Sequence, residues 1–290
     1  MADTKKVDPF AHVVDSDHIE IFESLGWIIH LPRLHLFGHE FPTKFLILMT
    51  LCAVAVAVVM IWLGRKMKSG EPPTGKLWNL FESLLFFVRD KIARPALGEK
   101  DALVYLPYLT TLFLFIFAMN LVGMVPFMGS PTAALAVTGA LAVVSFVVIH
   151  ASGILQHGST GKYLKTFIPH LEIEGGFFMQ IFSKVLTVGM AVLEYMTAFI
   201  RAAVLAIRLF ANMLAGHTVL FMILFFIALV SHPNYRIPIA QDWMFYPVAF
   251  FSVLLATALS LLELFIAGLQ AFIFTFLTAV FIGLAKHPPH

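Results

Sequence analysis

Apolar residues run along this chain in blocks of helical length, separated by short breaks rich in polar residues, Pro and Gly, and the blocks predict membrane helices. The first, KFLILMTLCAVAVAVVMIWLG over 44–64, is closed by the basic stop RKMK at 65–68. SGEPPTGK then breaks the pattern. LWNLFESLLFFVRDKIA, 77–93, interleaves apolar residues with Glu82, Arg89, Asp90 and Lys91, which predicts an amphipathic helix lying on the membrane surface. LVYLPYLTTLFLFIFAMNLVGMVPF, 103–127, and PTAALAVTGALAVVSFVVIHASGIL, 131–155, predict a two-span hairpin turning at MGSP, followed by the polar QHGSTGKYLK.

The last part of the chain follows a different rhythm. From Gly176 to Val230 it stays apolar for about 55 residues, roughly 80 Å as helix and more than twice a hydrocarbon core. No Pro and no polar turn interrupts that run. A second long stretch extends from Trp243 to Lys286. A turn exposed to lipid would strand backbone N–H and C=O groups, so each stretch is predicted as one long, steeply tilted helix, 176–230 and 243–285. SHPNYRIPIAQD, 231–242, forms the turn between them. The expected architecture is an all-α polytopic membrane protein with five membrane helices, two of them long and tilted, plus the interfacial helix. The remaining parts are an N-terminal arm over 1–43, a connecting segment over 65–102, a loop over 156–175 and a tail over 286–290.

Composition agrees with this pattern. Hydrophobic residues make up 60% of the 290 and charged residues 12%, against roughly a quarter charged in soluble domains, too few to build a water-facing surface. One bundle is expected rather than two domains. Cys52 is the single cysteine and lies in an apolar stretch, so disulfides play no part. A net charge of +2 gives no argument for nucleic acid as a partner, and the first forty residues hold no signal-peptide h-region. With five passes, the side carrying 65–101, 156–175 and the C-terminus holds eleven Lys and Arg, against five on the N-terminal arm through Lys44 and the 231–242 turn. The positive-inside rule then places the N-terminus outside and the C-terminus in the cytoplasm.

Charges inside the long helices need a reason, because one at the centre of a membrane helix costs about 2.5–3.5 kcal/mol on insertion scales. They are Lys184, Glu194, Arg201, Arg208 and His217 in the first and Glu263 in the second. Glu194, Arg201 and Arg208 recur every seven residues, a drift of only about 20° per step, and so share one stripe. Asn212 stays within about 40° of Arg208, whereas His217 comes out near the opposite face. Glu263 and Gln270 share a face of the second helix. Several of these residues also have structural readings. Lys184 and Arg201 can snorkel to an interface, and Glu194 with Arg201 can form a structural pair. Asn120, Asn212 and Gln270 can serve as interhelical hydrogen-bond donors. His150 and His157, near a span end, read as interfacial. His12, His18, His30, His35 and His39 lack metal-ligand spacing and read as solvated, so no metal is expected. Depth and charge make Arg208, His217 and Glu263 the functional candidates.

IRLFANMLAGH at 207–217, LELFIAGLQAFIFTFLTAVFIG at 262–283 and LTTLFLFIFAMNLVGMVP at 109–126 closely resemble subunit a of F-type ATP synthases, the stator that carries ions past a rotating ring. The resemblance covers most of the chain. It implies that Arg208 is the essential arginine facing the ring carboxylates, with Asn212 one turn on and Gln270 near it from the other helix. It assigns His217 and Glu263 to the outer aqueous half-channel, in the variant where acid and histidine are exchanged, and Glu194 and Arg201 to positions toward the cytoplasmic half. It implies partners as well: a c-ring of small membrane hairpin subunits and the peripheral-stalk subunit b within the lipid bilayer of a bacterial inner membrane. It implies no cofactor and no catalytic group.

Two departures stand out. The family often has Arg-Pro-x-Ser where this chain has Arg201, Ala202, Ala203 and Val204, and often an acid where this chain has Ala133 and Ala134 after Pro131 and Thr132. Two other function classes fit less well. A secondary transporter usually carries repeated halves with broken helices, and this chain has no internal repeat. A membrane enzyme needs a nucleophile with its base, or a metal cluster, at depth, and no such motif is present.

Overall fold

An apolar segment in hydrocarbon can satisfy its backbone alone only by closing N–H to C=O along its own axis, and these sequences do so. The computed structural model describes residues 18–22, 27–30, 34–36, 39–41, 44–68, 75–125, 130–166, 177–231 and 245–287. Its helices are α1 (Lys44–Lys68), α2 (Lys76–Phe87), α3 (Arg94–Gly123), α4 (Leu135–His157), the short α5 (Thr160–Lys165), α6 (Phe177–Ser231) and α7 (Phe245–Lys286). Five runs among the described residues are long and apolar enough to cross a bilayer: α1, the α2–α3 run, α4, α6 and α7. The protein is therefore a helical, multi-pass membrane protein. Both over-long helices are continuous, α6 over 55 residues and α7 over 42.

The interfacial segment differs in detail from the expected separate helix over 77–93. α2 runs into α3 through a π-helical turn, Val88–Ala93, and α3 contains a break at Gly98 (φ 77°, ψ 176°), a conformation open to Gly because it has no Cβ. The turn buries Val88, Ile92 and Ala93 completely. Its charges pair among themselves: Arg89 Nε donates to Asp90 Oδ1 at 2.8 Å, and Arg94 Nη1 to the same oxygen at 3.0 Å. Over 77–93 burial falls on Trp78, Val88, Ile92 and Ala93, while Leu77, Leu80, Phe86 and Phe87 stay exposed, on a helix that leads directly into the next span.

The N-terminal arm adds a feature that the sequence reading did not assign. Two antiparallel hairpins pair β1 (His18–Phe22) with β2 (Trp27–His30), and β3 (Leu34–Leu36) with β4 (His39–Phe41). His18 stands opposite His30, and the register slips between Glu20 and Phe22. Strands of three to five residues carry too few alternations to stand out from an irregular arm. The expectations for residues 1–17, the Lys184 side chain, the loop beyond 166, the turn from 232 on and the last three residues lie outside the described residues.

The chain falls into two compact units. The first holds Met1–Gly70, Phe113–Val137 and Leu209–Ala271. In it α1 buries Phe45, Leu48, Cys52 and Val56 along one stripe and exposes Leu51, Val54 and Val58 on the other, both apolar, because lipid does not penalise exposed hydrocarbon. A small core of Ala133, Met213 and Ala267, flanked by Leu214 and Ile266, brings the loop after α3 against α6 and α7. The second unit holds Glu71–Leu112, Thr138–Arg208 and Phe272–His290. There the end of α7 is fastened to the start of α3. Lys286 Nζ meets Asp101 Oδ1 at 2.6 Å and lies 5.4 Å from the Tyr105 ring centre. A Cβ at Gly283 would come within 2.5 Å of the Ala96 carbonyl oxygen, so that approach requires glycine.

Single cysteines introduced at each position from 199 to 206 in a Cys52→Ala background test the continuity of α6. Labelling by a water-soluble maleimide should follow helical periodicity, with no run of consecutive reactive positions; a block of adjacent reactive sites would mean a loop between two spans.

Candidate functional site

Because α6 is unbroken, the seven-residue spacing of Glu194, Arg201 and Arg208 does put them on one stripe. Arg208 is half-buried, beside the exposed Val204 and Ile207, and Asn212 one turn later is exposed. Among the described residues no acid lies within ion-pair distance of Arg208. Glu194, the nearest acid in sequence on the same helix, is roughly 21 Å away along the axis. Arg208 thus sits in a membrane-spanning helix with no carboxylate beside it among the described residues.

On the other face of α6, His217 meets Glu263 of α7. His217 Nδ1 lies 3.1 Å from Glu263 Oε1, and the two residues are 7% and 6% exposed. The approach is possible because Gly216 has no side chain: a Cβ there would stand 3.0 Å from Oε1 and 3.3 Å from the carboxyl carbon. The atoms are close but not aligned as a hydrogen bond, and His217 Nε2 has no partner among the described residues. The pair can hold one proton on the carboxyl or on the imidazole. In a buried site the charged arrangement is tolerable because the two charges form together.

One turn further along α7, a polar network ties three segments. Asn120 Nδ2 donates to the Ala267 carbonyl at 3.2 Å, and Asn120 Oδ1 accepts from the Thr132 hydroxyl at 2.9 Å. Thr132 in turn is 2.8 Å from Ser130 Oγ. All three side chains are essentially inaccessible, so each finds its partner inside the bundle. Gln270, on the same face of α7 as Glu263, is also buried.

In the second unit, Glu194 and Arg201 line one cavity of about 140 Å³, with no ion pair between them. The Arg201 guanidinium lies 5.4 Å from the Phe281 ring centre. The same cavity is lined by His150 and Tyr163, with His150 Nδ1 2.8 Å from Tyr163 Oη. Burial, reinforced by the neighbouring Tyr195 and Glu194, pushes the Tyr163 hydroxyl up to about 12, so it remains protonated at any physiological pH. Sequence reasoning set His150 aside as interfacial and passed over Tyr163. Their one visible signal was a histidine and a tyrosine on either side of a glycine-containing turn.

The features above define a class: polytopic helical membrane proteins that keep ionisable side chains inside the bundle, as ion-transporting proteins do. The sequence model of the family described as ATP synthase A chain matches residues 46–283. The chain is 36% identical to ATP synthase subunit a of Myxococcus xanthus, over 95% of this chain and 88% of that protein. It is 34% identical to ATP synthase subunit a of Chloroherpeton thalassium, over 99% and 79% respectively. The chain belongs to the ATP synthase subunit a family. Membership makes it a membrane component of ion transport in ATP synthesis.

Replacing Asn120 by Leu should lower stability in detergent by about 1 kcal/mol, since it leaves Thr132 short of its acceptor and removes the link to α7. Asn212→Leu, on an exposed face, should have little effect. Thermal melts of the two variants side by side check the difference; equal melting temperatures would deny the network a structural role.

Proposed function

We propose that this chain is the proton-conducting stator of a bacterial ATP synthase, passing protons through two offset half-channels at its interface with a ring of small membrane subunits. The observation that carries the reading is Arg208: a cation within a membrane-spanning helix, beside the exposed apolar Val204 and Ile207, with no acid of its own chain within ion-pair distance among the described residues. A carboxylate presented by a partner satisfies it. The exposed apolar residues Val204 and Ile207 beside Arg208 on α6 are a surface such a ring would cover. A helix of roughly 80 Å does not stand upright in a hydrocarbon core of about 30 Å, so α6 and α7 run steeply tilted along the ring.

The physics of the cycle follows from charge. A ring carboxylate travels through lipid only as the neutral acid, so it picks up its proton in one half-channel and releases it in the other. Arg208 attracts the ionised form as it passes. A guanidinium does not give up its proton, so Arg208 also blocks direct transfer between the half-channels. On the outer side, His217 and Glu263 exchange the proton, with Gln270 and Asn120 polar neighbours on the same helix bundle; on the cytoplasmic side, Glu194 and Arg201 line the path. Each proton contributes about 2.3 kcal/mol per 100 mV, which successive transfers sum toward ATP synthesis. The chain supplies no catalytic group to that synthesis. The distribution of Lys and Arg supports an N-terminus outside and a C-terminus in the cytoplasm of the inner membrane. The peripheral stalk, through subunit b, holds the chain against rotation.

Arg208→Ala should assemble normally, because it removes a buried charge without stranding an acid, yet ATP synthesis driven by an imposed gradient should fall to background. Arg208→Lys should fail too, since it loses the planar fork and the very high proton affinity. Glu263→Leu should leave the complex assembled and slow transport, while the double exchange His217→Glu with Glu263→His should do less harm than losing either group. Proteoliposomes of the complete complex, assayed with and without sodium, report all four. Normal synthesis in an assembled Arg208→Ala complex overturns the counter-ion role, and a strict sodium requirement overturns the proton assignment.

A further inference from the structure

We propose that His150, oriented by Tyr163, is a proton-exchanging residue at the cavity lined by Glu194 and Arg201, and that it passes protons between Glu194 and water on the α4–α5 side. The inference rests on the reading of that cavity as part of the cytoplasmic half-channel.

The local backbone is built to bring the two side chains together. α4 ends at His157, Gly158 turns the chain with φ 72°, and α5 returns so that the Tyr163 ring packs over Gly153, where any Cβ would collide with it. Tyr163 is 3% exposed, and its hydroxyl is 2.8 Å from His150 Nδ1. The imidazole is held from other sides as well: it meets Phe146 edge-on at 4.1 Å and lies nearly parallel to the Tyr195 ring at 6.5 Å. Phe146, Tyr163 and Tyr195 thus restrain its orientation, with the hydrogen bond to Tyr163 among the contacts that do so. The cavity has room for several waters, at ~10–15 Å³ of volume for each.

Only one proton moves in the step. In the proposed step neutral His150 carries its proton on Nδ1, with Tyr163 Oη as acceptor, and exchange takes place at Nε2. A proton arriving from water binds Nε2, and the imidazolium keeps its bond to Oη. The same proton then leaves Nε2 for the Glu194 carboxylate or the water between them, and the imidazole returns to its starting form. Tyr163 stays protonated throughout, consistent with a hydroxyl pushed up to about 12. Among the described residues, the groups that line the cavity with His150 are these. From α6, Glu194 favours the imidazolium, Arg201 opposes it, and Tyr195 contributes its ring. From α5 comes Tyr163, and on α4 itself His157 lies 5.8 Å from the Tyr163 ring, with its Nδ1 on the Gly153 carbonyl. α7 faces the cavity with Phe281, Leu284 and Ala285, which do not titrate.

The test uses the complete ATP synthase in proteoliposomes, with synthesis driven at fixed membrane potential and followed against pH on the ATP-forming side. Co-purification of the ring reports assembly. His150→Gln keeps a hydrogen-bonding side chain that cannot titrate. It should slow synthesis by roughly tenfold, less than loss of an acid–base group at a reacting bond because cavity water carries part of the traffic. It should also flatten the limb of the rate profile that His150 sets. Tyr163→Phe, which removes only the hydroxyl, should give a smaller loss and displace the same limb. A normal rate and profile in His150→Gln overturns the proposal, as does a slower rate with an unchanged profile, which marks a purely structural role. If His150→Gln fails to assemble, the Tyr163→Phe profile decides: a displaced limb supports the exchange role and an unchanged one overturns it. Glu194→Gln, measured in parallel, separates the two levels of the argument. If it is slow while His150→Gln is normal, the half-channel stands and His150 is removed from it; if both are normal, the cavity lies off the ion path and both readings fall.

Discussion

Hydrocarbon offers no hydrogen bonds, and that constraint governs this protein from backbone to site. It forces α6 to continue for 55 residues and α7 for 42 where a soluble chain would have turned. It also sorts the side chains. Asn120, Thr132 and Ser130, fully enclosed, satisfy one another and the Ala267 carbonyl, and Lys286 is paired with Asp101 where α7 ends. Other enclosed groups stay unmatched among the described residues, the hydroxyls of Thr110 and Thr275 among them, and two sites of charge stand out beside these. Arg208 has no acid beside it among the described residues, and His217 faces Glu263 without a well-formed hydrogen bond. Groups held in that unfinished state are available to a partner or to a moving proton.

The same constraint explains how small residues act as functional ones. Gly216 admits the Glu263 carboxylate to the surface of α6, Gly153 admits the Tyr163 ring to α4, and Ala133 with Ala267 lets the loop after α3 pack against α6 and α7. In lipid there is no hydrophobic drive between helices, so close packing and polar contacts hold them together, and both depend on how near the backbones can come. Ala133 shows the same use. Its methyl group lies in the core beside Met213, and the polar work nearby is done by Thr132 through Asn120.

The two candidate proton-handling sites share a plan despite different partners. Each has a histidine on one helix and an acid on another, and in each a glycine admits a neighbouring side chain: Gly216 the Glu263 carboxylate in one, Gly153 the Tyr163 ring in the other. A histidine suits both, because it gains and loses a proton near neutral pH and its second nitrogen can be engaged separately. Glu263 lies 3.1 Å from His217 in the first, and Glu194 lines the same cavity as His150 in the second.

The sequence by itself determined what depends on a single segment. Block lengths gave five spans, the absence of any turn residue gave the continuity of α6 and α7, and a stripe at seven-residue spacing gave the shared face of Glu194, Arg201 and Arg208, because helical periodicity is local and direct. Motifs around Arg208 and Gln270 were specific enough to indicate the family. What only the tertiary structure decided is which residues meet. The two faces of α1 are equally apolar, so hydropathy did not say that Leu48 is buried and Leu51 exposed. The π-helical turn at Val88–Ala93 and the short hairpins of the arm arise from pairing and packing that leave no period in the chain. The 3.1 Å approach of His217 to Glu263, and the meeting of His150 with Tyr163, depend on glycines that admit a side chain from another helix, and the sequence carries no record of which side chain that is.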